Sequence, residues 1–200
     1  MPRLLPREFY QQDLLTCAQA LVGATLVWNG CLGAVVEVEA YAAEGDEACH
    51  AFSRPSTRDF IHRHPAGTAY VYFNYGVHWM LNVLVKGGGR DGLILIRAIE
   101  PLVGIEAMQA RRRRTALRDL CSGPGKLTQA LAITGADHER DLCSGTCGAA
   151  LGAEQPTVLC DVRVGISRAT GLPWRFLWKE SPFASVAYGK ALKPPKPTKA

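Results

Sequence analysis

The sequence predicts an α+β fold: one domain built on a curved, mostly antiparallel β-sheet flanked by helices. Three observations carry that expectation. Stretches of period-two hydrophobic alternation dominate the chain over helical patterns. Most neighbouring stretches are joined by short turn signals, Asn29-Gly30 and Asn74-Tyr75-Gly76, which make consecutive strands antiparallel partners. At 200 residues and 48% hydrophobic the chain can bury a full core, and no linker or internal repeat divides it.

Taken in order, Asp13 caps a short helix whose Leu14, Leu15, Ala18, Leu21 and Val22 share one face before Gly23 ends it. "ATLVW" and "CLGAVVEVEAY" then flank Asn29-Gly30 as a hairpin. In the second strand Val36, Val38 and Ala40 face one way and Glu37, Glu39 and Tyr41 the other. The two glutamates thus share a face about 7 Å apart, two strand rises. The stretch 51–67, with His62 and His64, reads as a surface loop. "TAYVYFNYGVHWMLNVLV" gives two more strands with Tyr75 at their turn, where apolar bulk is normally avoided. "GLILIRAIEP" is a further strand, and alternation sets Arg97 beside Leu93 and Leu95, so it needs a carboxylate partner or a solvated cleft. An arginine-rich helix follows. In "CSGPGKLTQALAI" Ser122 caps a helix opened by Pro124 and carrying Leu127, Ala130 and Leu131. The segment from Thr157 alternates as strand and turns at Gly171 and Pro173. The domain is expected to end at residue 189, with 190–200 a mobile arm rich in lysine and proline.

The net charge is +5, with positives concentrated in "RRRRTALR" and in the tail, which fits either a solvated face or a polyanionic partner. "MPRLLPREFY" lacks the apolar run of a signal peptide and no stretch is apolar enough to span a bilayer, so a cytoplasmic protein with no membrane partner is expected. The seven cysteines then read as reduced thiols, and "CSGTC" stands without a second pair at zinc-site spacing.

Against this basic background "EVEAYAAEGDEACHAF" gathers five acidic groups. They would repel a polyanion, so at least one of them should have a chemical task. Two glutamates on one strand face suit glycosidic chemistry, although strand faces often carry solvated glutamates. "SGPGKLT" is no nucleotide-hydrolysing loop, because Leu120 stands where its first glycine would be and Leu127 where Ser or Thr is required. The helix start over Ser122, Gly123, Gly125 and Lys126 still offers amides and a cation to a backbone phosphate; a plain core helix is the alternative.

"VVEVEAY", "DEACH", "GTAYVYFNYGVHWMLNV", "LILIRAIEPLVGIEAM", "LCSGPGKLTQALAI" and "GLPWRFLWKESPFAS" together resemble the alkyladenine (methylpurine, 3-methyladenine) DNA glycosylase family over residues 8 to 188. The resemblance implies base-excision repair: a damaged purine is flipped out of double-stranded DNA and its N-glycosidic bond hydrolysed, with no metal or organic cofactor, by a monomer associated with the nucleoid when bound. It implies that Glu39 activates the attacking water and that Arg97 supports it. Tyr41 and His50 resemble residues that contact the flipped base, Tyr72 the opposing aromatic, Asn82 the residue that crowds the exocyclic amine of guanine, and Tyr75 the wedge. Two departures from the family pattern stand out. "STRDFIHRHPAG" has Arg58-Asp59 and Phe60-Ile61 in place of Arg-Asn and Met-Phe, and the stretch between Tyr41 and Asp46 lacks a Gly-Pro. Beside hydrolysis, a lyase using a Lys126 Schiff base and a silent binder of distorted DNA remain as readings.

Overall fold

The computed structural model describes residues 2–153 and 155–191. The expectation for the tail falls largely on 192–200, outside the described residues.

The fold is α+β. Helix α1 (Leu14–Leu21) opens as expected, with the Asp13 carboxylate accepting from the amides of Leu15 and Thr16. Strands β1 (Thr25–Trp28) and β2 (Cys31–Ala42) follow, joined by Asn29 and Gly30 at φ 48° and 75°, the left-handed pair a tight hairpin demands. Strands β3 (Ala69–Asn74), β4 (His78–Val85), β5 (Gly92–Val103) and the short β6 (Gly148–Ala150), β7 (Val158–Asp161) and β8 (Arg175–Trp178) complete one sheet of eight. Its order is β3-β4-β5-β2-β1-β6, every pairing is antiparallel, and β8 joins β2 beyond the end of β1 while pairing β7 on its other edge. The middle of β2 is therefore paired on both edges, by β5 and β8, and its two faces pack into separate buried clusters.

The simple alternation expected for β2 fails at one point. Its register against β5 shifts between Val35 and Glu37 and again between Glu37 and Val38. Such bulges place consecutive residues on one face and bend the sheet. Val35 and Val38 both lie in the main core, whereas Val36 packs with Ala98 and Phe183 in a separate cluster on the face of the glutamates. Val36 therefore does not share a face with Val38 and Ala40.

Helices α4 (Ile105–Arg112), α5 (Arg118–Cys121) and α6 (Pro124–Leu131) cover the core face, with Met108, Leu120, Leu127 and Leu131 fully buried. Gly125 lets α6 meet β4, because a Cβ there would lie 2.6 Å from the His78 ring. Ser122 is not the expected cap: Gly123 occupies the cap position without a side-chain bond, and Ser122 Oγ instead accepts from Lys126 Nζ at 3.2 Å. The stretch expected as a loop is helical. It forms α2 (His50–Ser53) and α3 (Pro55–Arg63), since Pro55 opens a helix at its first position and Thr57, Phe60 and Ile61 supply a buried stripe. In order along the chain these are helices α1 to α6.

Directly opposed residues on paired strands share a face, so the registers trace one row across six strands: Tyr70, Asn82, Leu95, Glu39, Arg175 and Asp161. This row is the floor of the functional site.

Candidate active site

Glu37 and Glu39 are fully buried. Neither is a solvated strand-face carboxylate, and burial on this scale requires partners. Glu37 has four: Oε1 accepts from Arg97 Nε at 3.1 Å, Arg175 Nη1 at 3.0 Å and Ser185 Oγ at 2.9 Å, and Oε2 from the Ser185 amide at 2.5 Å. Its acceptor capacity is nearly filled by the protein. Glu39 has three among the described residues: Oε2 accepts from the Tyr41 hydroxyl at 2.6 Å and Arg97 Nη1 at 3.1 Å, while Oε1 accepts the Val164 amide alone at 2.6 Å. Glu39 Oε1 thus keeps a lone pair free.

Arg97 bridges the two glutamates. Burial works against its charge, and the neighbouring Glu39 and Glu37 outweigh that effect, so it holds its proton more firmly than an ordinary arginine. Arg175 continues the chain from Glu37 to Asp161 at 2.6 Å. Asp161, partly buried, is nonetheless held below the usual carboxylate range by the amides of Gly189 and Val162 and by Arg175. The result is an alternating line, Asp161-Arg175-Glu37-Arg97-Glu39, with carboxylates at both ends.

The Glu39 end abuts a cavity of about 410 Å³, walled by Arg97 and Val164 near the carboxylate, by Tyr41, His50 and Tyr72, and by Met80 and Asn82 from β4. His50 and Tyr72 form one composite wall: their ring centroids lie 4.3 Å apart at 65°, too close to admit a planar ring between them. Burial and the adjacent Arg54 guanidinium hold the His50 imidazole down to about 4, so it is neutral at physiological pH. Burial, then the charge of Glu39, raises the Tyr41 hydroxyl well above its ordinary value, which keeps it a donor to that carboxylate. Tyr72 is pushed up to about 12 by burial, with Tyr70 adding to it. Asn82 is 4% exposed; its amide nitrogen donates to the Tyr70 carbonyl at 3.1 Å, and Oδ1 has no partner among the described residues.

Tyr75 stands at the cavity rim on the β3–β4 turn, 90% exposed with φ 50°. A bulky residue held in the left-handed region and given to solvent opposes both sterics and hydrophobicity, which is a mark of function. The phosphate candidates are less open. Ser122, Gly123 and Gly125 are buried and only Lys126 reaches the surface. The arginine run is partly structural as well: Arg111 donates to the Ala130 carbonyl and Arg112 to Gln129, which ties α4 to α6, Arg118 donates to the Pro182 carbonyl after β8, and Arg113 and Arg114 are left exposed.

Among the predicted residues, Arg97, Tyr41, His50, Tyr72, Asn82 and Tyr75 line one cavity or its rim, and Glu39 lies directly behind that lining, bonded to Arg97 and Tyr41. Arg175, Ser185 and the Val164 amide were not foreseen. Backbone donors leave no mark in a sequence, but Arg175, in a strand pattern with an apolar neighbour on either side, carried the same signal that singled out Arg97. All seven cysteines are free, and among the described residues no three His, Cys, Asp or Glu side chains are grouped as metal ligands. No helix among them is long and apolar enough to cross a membrane.

A cavity with aromatic walls, a buried carboxylate behind it and an exposed aromatic at its mouth has the features of an enzyme active site. Comparison with known proteins agrees. A model of the methylpurine-DNA glycosylase family matches residues 8–182. The chain is 42% identical over 185 residues to a Rhodopseudomonas palustris protein provisionally named a 3-methyladenine DNA glycosylase, covering 92% of this chain and 89% of that one. Proteins of the same provisional name from Bradyrhizobium diazoefficiens and Chlorobaculum tepidum are each 40% identical, over 94% and 90% of this chain and 96% and 90% of theirs. The chain belongs to the methylpurine-DNA glycosylase family, whose members are DNA-repair glycosylases.

Proposed function

We propose that this protein is a monofunctional DNA glycosylase that flips a damaged purine, alkylated or deaminated, out of duplex DNA and hydrolyses its N-glycosidic bond with a water activated by Glu39. The observation that carries this reading is the free lone pair on Glu39 Oε1, buried beside a cavity whose walls include Tyr41, His50 and Tyr72. Glu39 and Asn82 both oppose Leu95 in the sheet row, so two strand spacings, roughly 10 Å, separate their backbones. That span suits a purine with its glycosidic end at Glu39 and its far edge at Asn82.

The base lies between Tyr41 on one side and the His50–Tyr72 wall on the other, and Tyr75 fills the stack it leaves. As the bond to the sugar lengthens, positive charge develops on the sugar ring. Glu39, oriented by Arg97 and the Val164 amide, stabilises that charge and takes a proton from the attacking water. Neutral His50 adds no repulsion to a cationic alkylpurine. Asn82 Oδ1, an acceptor without a partner, faces the base edge, where it can crowd the 2-amino group of guanine. Lys126 and Arg113 and Arg114 are the candidates for phosphate contacts.

The lyase reading has less support, because Lys126 does not line the cavity and its ammonium donates to Ser122. A silent binder would have no use for a buried carboxylate with an open acceptor site. A single-turnover assay on a duplex with one hypoxanthine or alkylated purine separates the three. Abasic product that breaks only on added alkali supports the proposal, tight binding without product supports the binder, and scission without alkali supports the lyase.

A further inference from the structure

One buried ion pair stands apart from the line that ends on Glu39. Arg163 is 3% exposed and grips Asp46 through two bonds, Nη1 to Oδ2 at 2.5 Å and Nη2 to Oδ1 at 2.8 Å. Nη1 also donates to the Ala40 carbonyl at 2.9 Å and Nη2 to the Ala169 carbonyl at 3.3 Å. Its Nε is buried without a partner among the described residues. A fully buried ion pair is often no more stabilising than apolar residues of the same shape, and an orphaned N–H is a further cost. Stability alone therefore does not account for it.

Its location suggests what does. The guanidinium carbon lies 4.7 Å from the centroid of the Tyr41 ring and 5.3 Å from that of Trp174. The next residue, Val164, donates its amide to Glu39 Oε1 and accepts Arg97 Nη1 at 3.4 Å through its carbonyl. The clamp thus meets the aromatic platform through space and the carboxylate through one peptide bond. Asp46 also accepts the amides of Ala42 and Ala48, so it fixes the turn between Tyr41 and His50.

We propose that Arg163, clamped by Asp46, is a positioning residue of the excision reaction: it holds the Tyr41 ring against the base and sets the Val164 amide on Glu39. This rests on the glycosylase reading above. Displacing both the platform and the amide costs rate more than affinity for DNA, because misplacement of about 1 Å at a reacting centre can cost on the order of 100-fold.

The test uses the full chain with Arg163→Lys, which keeps the charge and a bond to Asp46 but cannot span Asp46, Ala40 and Ala169 or lie flat on Tyr41. A second variant, Asp46→Asn with Arg163→Gln, keeps a hydrogen-bonded pair without either charge. The folded fraction is titrated with duplex carrying a stable abasic analogue, which engages the DNA surface without filling the base pocket, and the excision constant is then read per folded enzyme at saturation. The expected result is a 10- to 100-fold slower constant in at least one variant, with abasic-duplex affinity within about threefold of the parent. A purely structural pair would lower the folded fraction and leave the constant unchanged. Constants within twofold of the parent overturn the inference. Failure of both variants to fold overturns it too, since the pair would then have no effect separable from folding. A parent chain that excises no purine would sink the glycosylase reading instead.

Discussion

Replacing Glu39 with Gln tests the chemistry at its centre. The side chain keeps its shape, and its oxygen can still accept the Val164 amide in place of Oε1. The new NH₂ then occupies the place of Oε2, where Tyr41 can rotate its hydroxyl to accept. Arg97 loses one acceptor but retains Glu37, the Ser185 hydroxyl and the Val164 carbonyl. The stability cost should be about 1–3 kcal/mol for one lost charged acceptor, so the protein folds. The amide cannot take a proton from water, and loss of a general base lowers the rate about 10²–10⁴-fold, or about 3–5 kcal/mol in the barrier. Single-turnover excision from a hypoxanthine duplex, with alkali to reveal abasic sites, measures the rate, and thermal unfolding measures the stability. An undiminished rate in folded Glu39→Gln would refute the assignment. Glu37 would be a poor substitute, since four protein donors already occupy it.

Tyr75→Ala should weaken binding to lesion-bearing duplex and slow excision there, with a much smaller effect on a lesion in single-stranded DNA; equal losses would make Tyr75 a packing residue. Asn82→Ser should raise excision of guanine relative to hypoxanthine by opening space for the 2-amino group, and an unchanged ratio of single-turnover rates would remove the gatekeeper role. Affinity for duplex should fall with salt at about −0.9 in log K per log salt for each phosphate contact, and Lys126→Ala should reduce that slope by about one; a flat dependence would count against a DNA substrate. His50 is protonated near 6.5 when unfolded but only near about 4 when folded, so its contribution to stability is intact above pH 6.5 and is lost as pH falls from there toward 4. His50→Phe should flatten that part of the melting temperature against pH, and an identical slope in both proteins would show that other groups set it.

What the sequence made legible was local. Asn29-Gly30 and Asn74-Tyr75-Gly76 announce their turns because backbone conformation there is chosen by the turn residues themselves. Arg97 was legible as an anomaly, a cation in an apolar strand that had to find a carboxylate. The family resemblance supplied the roles of Tyr41, His50, Tyr72 and Asn82, which no local pattern carries. The bulge after Val35 was invisible, because a run of valines reads equally well in either phase. Helix α3 was missed because its buried stripe, Thr57, Phe60 and Ile61, is short and interrupted by charges. Partners remote in the chain, such as Arg175 for Glu37 across 138 residues, exist only once the sheet brings β8 to β2.

The alternating line of charges that ends on Glu39 has an odd number of members. Three carboxylates face two guanidiniums, and the deficit has two ends. At Asp161 two backbone amides absorb it. At Glu39 no third guanidinium follows among the described residues, so the line ends on a carboxylate behind the cavity walls formed by Arg97 and Val164. In the proposed reaction a sugar ring losing its base would supply a cation to face that carboxylate for as long as the bond is breaking, and a neutral sugar before or after would not. If Glu39 acts as proposed, this line of charges is balanced only while the bond is breaking, and a permanent cation shaped like that sugar should fit the site better than either substrate or product.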